Sequence, residues 1–170
     1  MANVIETQKL IDNNKRALIK YVALIDTADS ANVILNASTL NFALNANGYI
    51  MTGGTHPKPY YRTSIKRIYG SVRANAYIRL HWDGPLVGGN NIVTLDDGTF
   101  NYSFDQGGDI AVISNPDIAN SNGNILMTIV TPSSTDALTL FIDLKKDARD
   151  YDAGQTADPA AFNRGPAAFA

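Results

Sequence analysis

The chain has 170 residues, 45% hydrophobic and only 18% charged, a balance that suits one globular domain with a core of its own and less surface charge than usual. Its 14 basic and 16 acidic residues give a formal net charge of −2, which provides no general attraction for nucleic acid or an anionic membrane, so neither is expected as a partner. The absence of cysteine excludes disulfides and thiolate metal sites.

The start, MANVIETQKLIDNNKR, lacks a basic segment followed by an apolar one, and no stretch approaches the roughly 20 apolar residues that span a bilayer. A soluble protein made in the cytoplasm is the expectation. Ile5, Leu10 and Ile11 hint at a helix over the first twenty residues, but Asn13-Asn14 interrupts it and Leu18, Lys20 and Val22 alternate afterwards, so a strand is preferred, with Arg16 to Ile25 as its clearest part. Asn32 to Leu35 is a further strand. Ser38 is placed to cap a short helix through Leu44, with Gly48 beyond its end. Tyr61 to Val72 is strand-like, yet Ile65 and Ile68 are out of phase, and a bulge near Lys66 and Arg67 is needed to turn both inward.

Ala76 to Asp83 carries the plainest period of two: Ile78, Leu80 and Trp82 on one side, Tyr77, Arg79 and His81 on the other. Asn91 to Leu95 follows. Asp97-Gly98 then separates it from the alternating Phe100, Tyr102 and Phe104, which predicts a hairpin. Ile110 to Ile113 and Ile125 to Thr131 are shorter candidates, and Leu138 to Lys145 alternates cleanly, with Leu138, Leu140, Ile142 and Leu144 opposed by Thr139, Phe141, Asp143 and Lys145. Gly53-Gly54, Gly88-Gly89, Gly107-Gly108, Asn115-Pro116 and Asn122-Gly123 mark loops. About nine short strands with turns rich in Gly, Asn and Asp predict an all-β antiparallel sandwich or jelly roll with minor helix.

This places a sandwich domain over 1–145 and an extended C-terminal arm over 146–170, because DARDYDAGQTADPAAFNRGPAAFA has no sustained apolar period. Extended at about 3.3 Å per residue, such an arm reaches on the order of 80 Å, far enough to cross a neighbouring subunit. Tyr151, Phe162 and Phe169 suit pockets on a partner, and Arg149 and Arg164 suit docking salt bridges, so these five residues are the candidate interface. On this division the domain folds without Asp150 to Ala170.

Chemistry is sparse. His56 and His81 stand in no metal-binding spacing, GxSxG is absent, and neither a Walker loop nor a dinucleotide fingerprint occurs. Asp83, Asp96, Asp97, Asp105 and Asp109 flank Gly-rich turns, where calcium is conceivable but turn formation is the simpler role. No catalytic residue, cofactor or metal is therefore expected, and no enzyme. Arg62, Lys66, Arg67 and Arg73, interleaved with Tyr60, Tyr61 and Tyr69, have the composition of a nucleic-acid patch, but alternation is expected to scatter them over both faces; an acidic protein surface suits them better.

Three segments, NNKRALIKYVALID, the pair YRTSIKRIYGSV and YIRLHWDG, and DLKKDARDYDAGQTADPAAFN, resemble in order a group of small virion structural proteins of tailed bacteriophages, of the kind found in marine and freshwater phage genomes. RGPAAFA lies outside the resemblance. The likeness implies a place in the virion, assembled in the host cytoplasm, and carries over no catalytic or binding residues. The expected function is a capsid decoration or cement protein, seated on the major capsid protein as a small homo-oligomer. A neck, tail or fibre-associated virion protein is the alternative within that class, and a carbohydrate-binding host-adhesion module the alternative outside it.

Overall fold

A computed structural model describes residues 4–25, 29–50, 60–73, 77–84, 90–104, 112–116, 121–130, 136–152 and 154. These residues form ten strands: β1 (Val4–Asp12), β2 (Arg16–Ile25), β3 (Asp29–Leu35), β4 (Thr63–Arg73), β5 (Tyr77–Trp82), β6 (Asn91–Leu95), β7 (Gly98–Ser103), β8 (Ile113–Ser114), β9 (Ile125–Val130) and β10 (Asp136–Lys146). The large sheet has the order β1-β2-β10-β4-β7, with β8 also against β4, and the small one the order β3-β9-β5-β6. All pairings are antiparallel.

The winding is that of a jelly roll. β2 pairs with β10, β3 with β9, β4 with β7 and β5 with β6, as though one long hairpin had been rolled so that its halves face each other. The β-sandwich expected from the alternation is thus present, with β1 added as an edge strand on β2 and β8 as a short addition. Among the described residues no helix is long and apolar enough to cross a membrane.

Alternation decides which side chains the sheets enclose. Ala17, Ile19, Tyr21 and Ala23 of β2, Leu138, Leu140, Ile142 and Leu144 of β10, and Ile78, Leu80 and Trp82 of β5 are all buried in one core. Ile65 and Ile68 of β4 are both fully enclosed. The ladder shows how: Asp143 opposes Arg67 and Leu144 opposes Ile65, so Lys66 is the extra residue of a bulge and the inward phase is restored after it. Gly70, at φ 154, lets β10 approach closely, since a Cβ there would lie 2.0 Å from the Thr139 carbonyl oxygen.

Several expected elements differ. β1 and β2 make a hairpin in which the Asn13 side-chain oxygen accepts from the Lys15 and Arg16 amides at 2.9 and 2.8 Å, so Asn13-Asn14 is a turn between two strands. Asp97-Gly98 joins β6 in the small sheet to β7 in the large one. It is a crossing between sheets, not a hairpin; Gly98, at φ 118, supplies the left-handed turn the crossing needs. The expected helix from Ser38 shrinks to a single 3-10 turn, Ala37–Thr39, because Asn36 is the cap and accepts from the Ser38 amide at 3.1 Å. Gly53-Gly54, Gly88-Gly89 and Gly107-Gly108 lie outside the described residues.

Trp82 is 1% exposed in the middle of this core. Trp82→Ala is expected to cost roughly 3 to 5 kcal/mol in denaturant unfolding, and a loss below about 1 kcal/mol would mean that the indole is not a core element.

Candidate interaction surface

One end of the sandwich is closed by the segment that follows β10. Lys146, at the end of β10, has a side chain with 0% exposure, and its ammonium donates to Asp12 Oδ1 at the end of β1 and to the Asn41 carbonyl at 2.9 Å. The other Asp12 oxygen accepts from the Asn41 amide at 3.0 Å and lies 3.5 Å from Lys9 Nζ. Tyr151 brings its ring to 5.0 Å from the Lys146 nitrogen. Burial pulls the Lys146 ammonium below the ordinary lysine value, against the opposing pull of Asp12.

Asp12 reaches that position because of a register slip. Lys9 opposes Ile19 and Ile11 opposes Leu18, so Leu10 is an extra residue and the facing of the strand reverses beyond it. Without the slip, Asp12 would point to the outer face.

Four residues on, Asp150 is 1% exposed and accepts from the Arg62 amide at 2.8 Å and from the Arg62 guanidinium at 3.1 Å, while its own carbonyl takes the Leu44 amide at 2.8 Å. Arg62 in turn sits 4.7 Å over the Tyr60 ring. Tyr151 pairs with Ala43 and donates its hydroxyl to the Ala37 carbonyl at 2.8 Å. Its ring packs 5.7 Å from that of Tyr61, and burial pushes its hydroxyl far above the usual tyrosine range. Tyr151, expected to anchor a partner, is a core residue of its own chain at 1% exposure. The division at 145/146 therefore falls inside a packed clasp that runs to Tyr151. Arg149 does stand in solvent, paired with Asp147 through Nε to Oδ1 at 2.9 Å. Phe162, Arg164 and Phe169 lie outside the described residues.

The outer face of the large sheet collects the basic residues. The registers put Arg16, Lys20, Arg67, Arg73 and Lys145 on the side opposite the core, and the bulge residue Lys66 joins them at a cleft of about 630 Å³ lined also by Lys15, Ser64 and Val112. Among the described residues the face carries few carboxylates: Glu6 on β1, and Asp143, which receives both Nε and Nη2 of Arg16 at 2.8 and 2.9 Å. Lys66, Arg67, Tyr69 and Arg73, expected to scatter, thus share one face. Only Tyr61 turns into the core, and Tyr60 and Arg62 belong to the clasp. The signal was in the numbering, because Arg67, Tyr69 and Arg73 have one parity on one strand.

Tyr69 stacks on Phe141 at 4.7 Å with the rings 2° apart, and Arg67 lies 4.6 Å over the Tyr69 ring while bonding Asn101 of β7 at 2.9 Å. Phe141 approaches from β10 and Arg67 leans toward β7, so both faces of the Tyr69 ring are occupied. At the other end of the same face, Val4 and Leu24 oppose each other and are 64% and 58% exposed.

The remaining candidates do not converge. His81 Nε2 lies 3.1 Å from Thr128 Oγ1 on the outer face of the small sheet, Asp83 accepts from the Asn122 side chain, and His56, Asp105 and Asp109 lie outside the described residues. Asp96 and Asp97 are exposed in the turn between sheets, and no three His, Cys, Asp or Glu side chains gather among the described residues. No family model matches the chain, and no curated protein or solved structure does.

Arg149 holds the Asp147 carboxyl down to about 2, chiefly by their side-chain hydrogen bond. A carboxyl with a lowered folded-state pKa stabilises above its ordinary value, and that contribution is lost as pH falls from there through about 2. In Arg149→Ala the Asp147 carboxyl, followed by NMR, should titrate close to 3.8; an unchanged midpoint would show that Arg149 is not the cause.

Proposed function

We propose that the chain is a structural protein of a bacteriophage virion, of the capsid decoration or cement kind, which stabilises the shell by protein–protein contact. The observation that carries this reading is the outer face of the large sheet. Strands that leave Val4 and Leu24 mostly exposed beside a row of cations have the make-up of a surface completed by another protein. The jelly roll is compatible, being used by viral capsid and lectin domains alike, and the ordered resemblance of three segments to phage virion proteins favours the first of these.

In such a role the mechanism is association. Each copy buries surface across a joint, and many modest contacts on one shell add through avidity. The clasp reaches as far as Asp152, whose amide donates to the Phe42 carbonyl at 3.1 Å. A small symmetric oligomer on the major capsid protein is the arrangement proposed. Tyr69 offers no platform for a sugar, its ring being stacked on Phe141 and overlaid by Arg67.

Mass spectrometry of gradient-purified phage particles tests the proposal. The chain should be present in a fixed ratio to the major capsid protein, and particles lacking it should release DNA at a lower temperature. Its absence from purified particles would overturn the reading.

A further inference from the structure

We infer that β1 is a docking edge for a second copy of this chain, the two β1 strands pairing antiparallel about a two-fold axis at Thr7. β1 pairs with β2 on one side, and among the described residues no strand pairs with the other. Along that other side every second N–H and C=O is directed away from β2, a template for a further strand. Val4 through Leu10 are all exposed, so the small sheet leaves the inner side of this strand open as well. Val4, Ile5 and Leu10, at 64%, 42% and 48% exposure, give the edge apolar area that gains from burial. The strand has no proline, and its one lysine, a residue type that often guards such edges, is turned away: Lys9 Nζ donates to the Thr39 carbonyl at 2.5 Å and lies 3.5 Å from Asp12.

One register makes the strand complementary to itself. A two-fold axis normal to a continuous sheet keeps each face on its own side, so only residues of like parity oppose each other. With the axis at Thr7, Ile5 of one copy faces Lys9 of the other, Glu6 faces Gln8, and Val4 comes beside Leu10, where the bulge ends the ladder. Neither charge then meets its like. The Gln8 side-chain amide, which donates to Glu6 of its own chain at 2.9 Å, stands opposite the second Glu6. An axis at Glu6 would set two carboxylates against each other, and one at Gln8 would set Glu6 against Leu10. The pairing is isologous, so it occupies both edges at once and closes as a dimer. This deepens the proposed role by naming the surface of its symmetric oligomer, and it rests on that reading only for where the oligomer acts.

Sedimentation equilibrium of the full chain over a concentration series should show monomer and dimer in exchange. The chain has no cysteine, so Thr7→Cys supplies a single thiol, which a short bis-maleimide should join to that of a second copy. In Val4→Cys the two thiols would lie about 20 Å apart along the paired strands and should not be joined. Gln8→Glu sets a carboxylate opposite Glu6 twice per dimer and should weaken association about fivefold or more, whereas Gln8→Lys should tighten it. Thermal melts establish that each variant is folded. A chain that stays monomeric up to about 200 µM, cross-linking through Val4→Cys but not Thr7→Cys, or equal association of the two Gln8 variants would each overturn the inference. If the chain is found in particles but is monomeric in solution, the inference fails and the virion reading stands. If it is absent from particles but Thr7→Cys is cross-linked and the Gln8 variants diverge, the reverse holds.

Discussion

A buried ammonium sets the terms for one end of this fold. Moving a lysine charge out of water costs several kcal/mol, and that cost is met only where the charge finds an opposite charge and further acceptors in good geometry. Lys146 finds Asp12, the Asn41 carbonyl and the Tyr151 ring, which come from the first strand, the segment after β3 and the segment after β10. Three distant parts of the chain must be in place together before the charge is tolerated. The interaction therefore acts as a specification of which arrangement is allowed more than as a source of net stability.

Several local features follow from it. The extra residue at Leu10 turns Asp12 inward, and Asn41 holds that residue twice, its backbone amide donating to the Asp12 carboxylate at 3.0 Å and its side-chain amide to the Asp12 carbonyl at 3.1 Å. Beyond Lys146 the chain turns back on Asp147, whose carbonyl takes the amides of Asp150 and Tyr151 at 3.0 Å, and this turn carries Asp150 to Arg62 and Tyr151 to Ala43. The clasp and the basic cleft share Lys146 and Asp147, so the constraint that closes the sandwich also shapes the rim of that cleft.

The alternation of β5 and β10 was legible because both strands lie over the core and every second side chain is enclosed, which is the condition under which a period of two is clearest. The bulge at Lys66 was legible for the same reason: two isoleucines out of phase must both be buried. Asp97-Gly98 misled because the same dipeptide that closes a hairpin also serves a crossing between sheets, and only the pairing of β6 with β5 distinguishes the two. The clasp left almost no pattern in sequence. Lys146, Asp150 and Tyr151 belong to a short segment rich in charge, and what makes them core residues is partners 134, 88 and 114 positions away. Spaced aromatics in a polar tail read as anchors for another protein, and for Tyr151 the pocket is supplied by its own chain.

The central claim is that the segment through Tyr151 is part of the domain, and two truncations decide it. A chain ending at Gly154 should unfold in one cooperative transition close to that of the full protein. A chain ending at Arg149 loses the Asp150 carboxylate and the Tyr151 ring, exposes the Lys146 pair, and should be destabilised by several kcal/mol or fail to fold cooperatively. Equal unfolding midpoints for the two would contradict the account and return the end of the domain to Lys145.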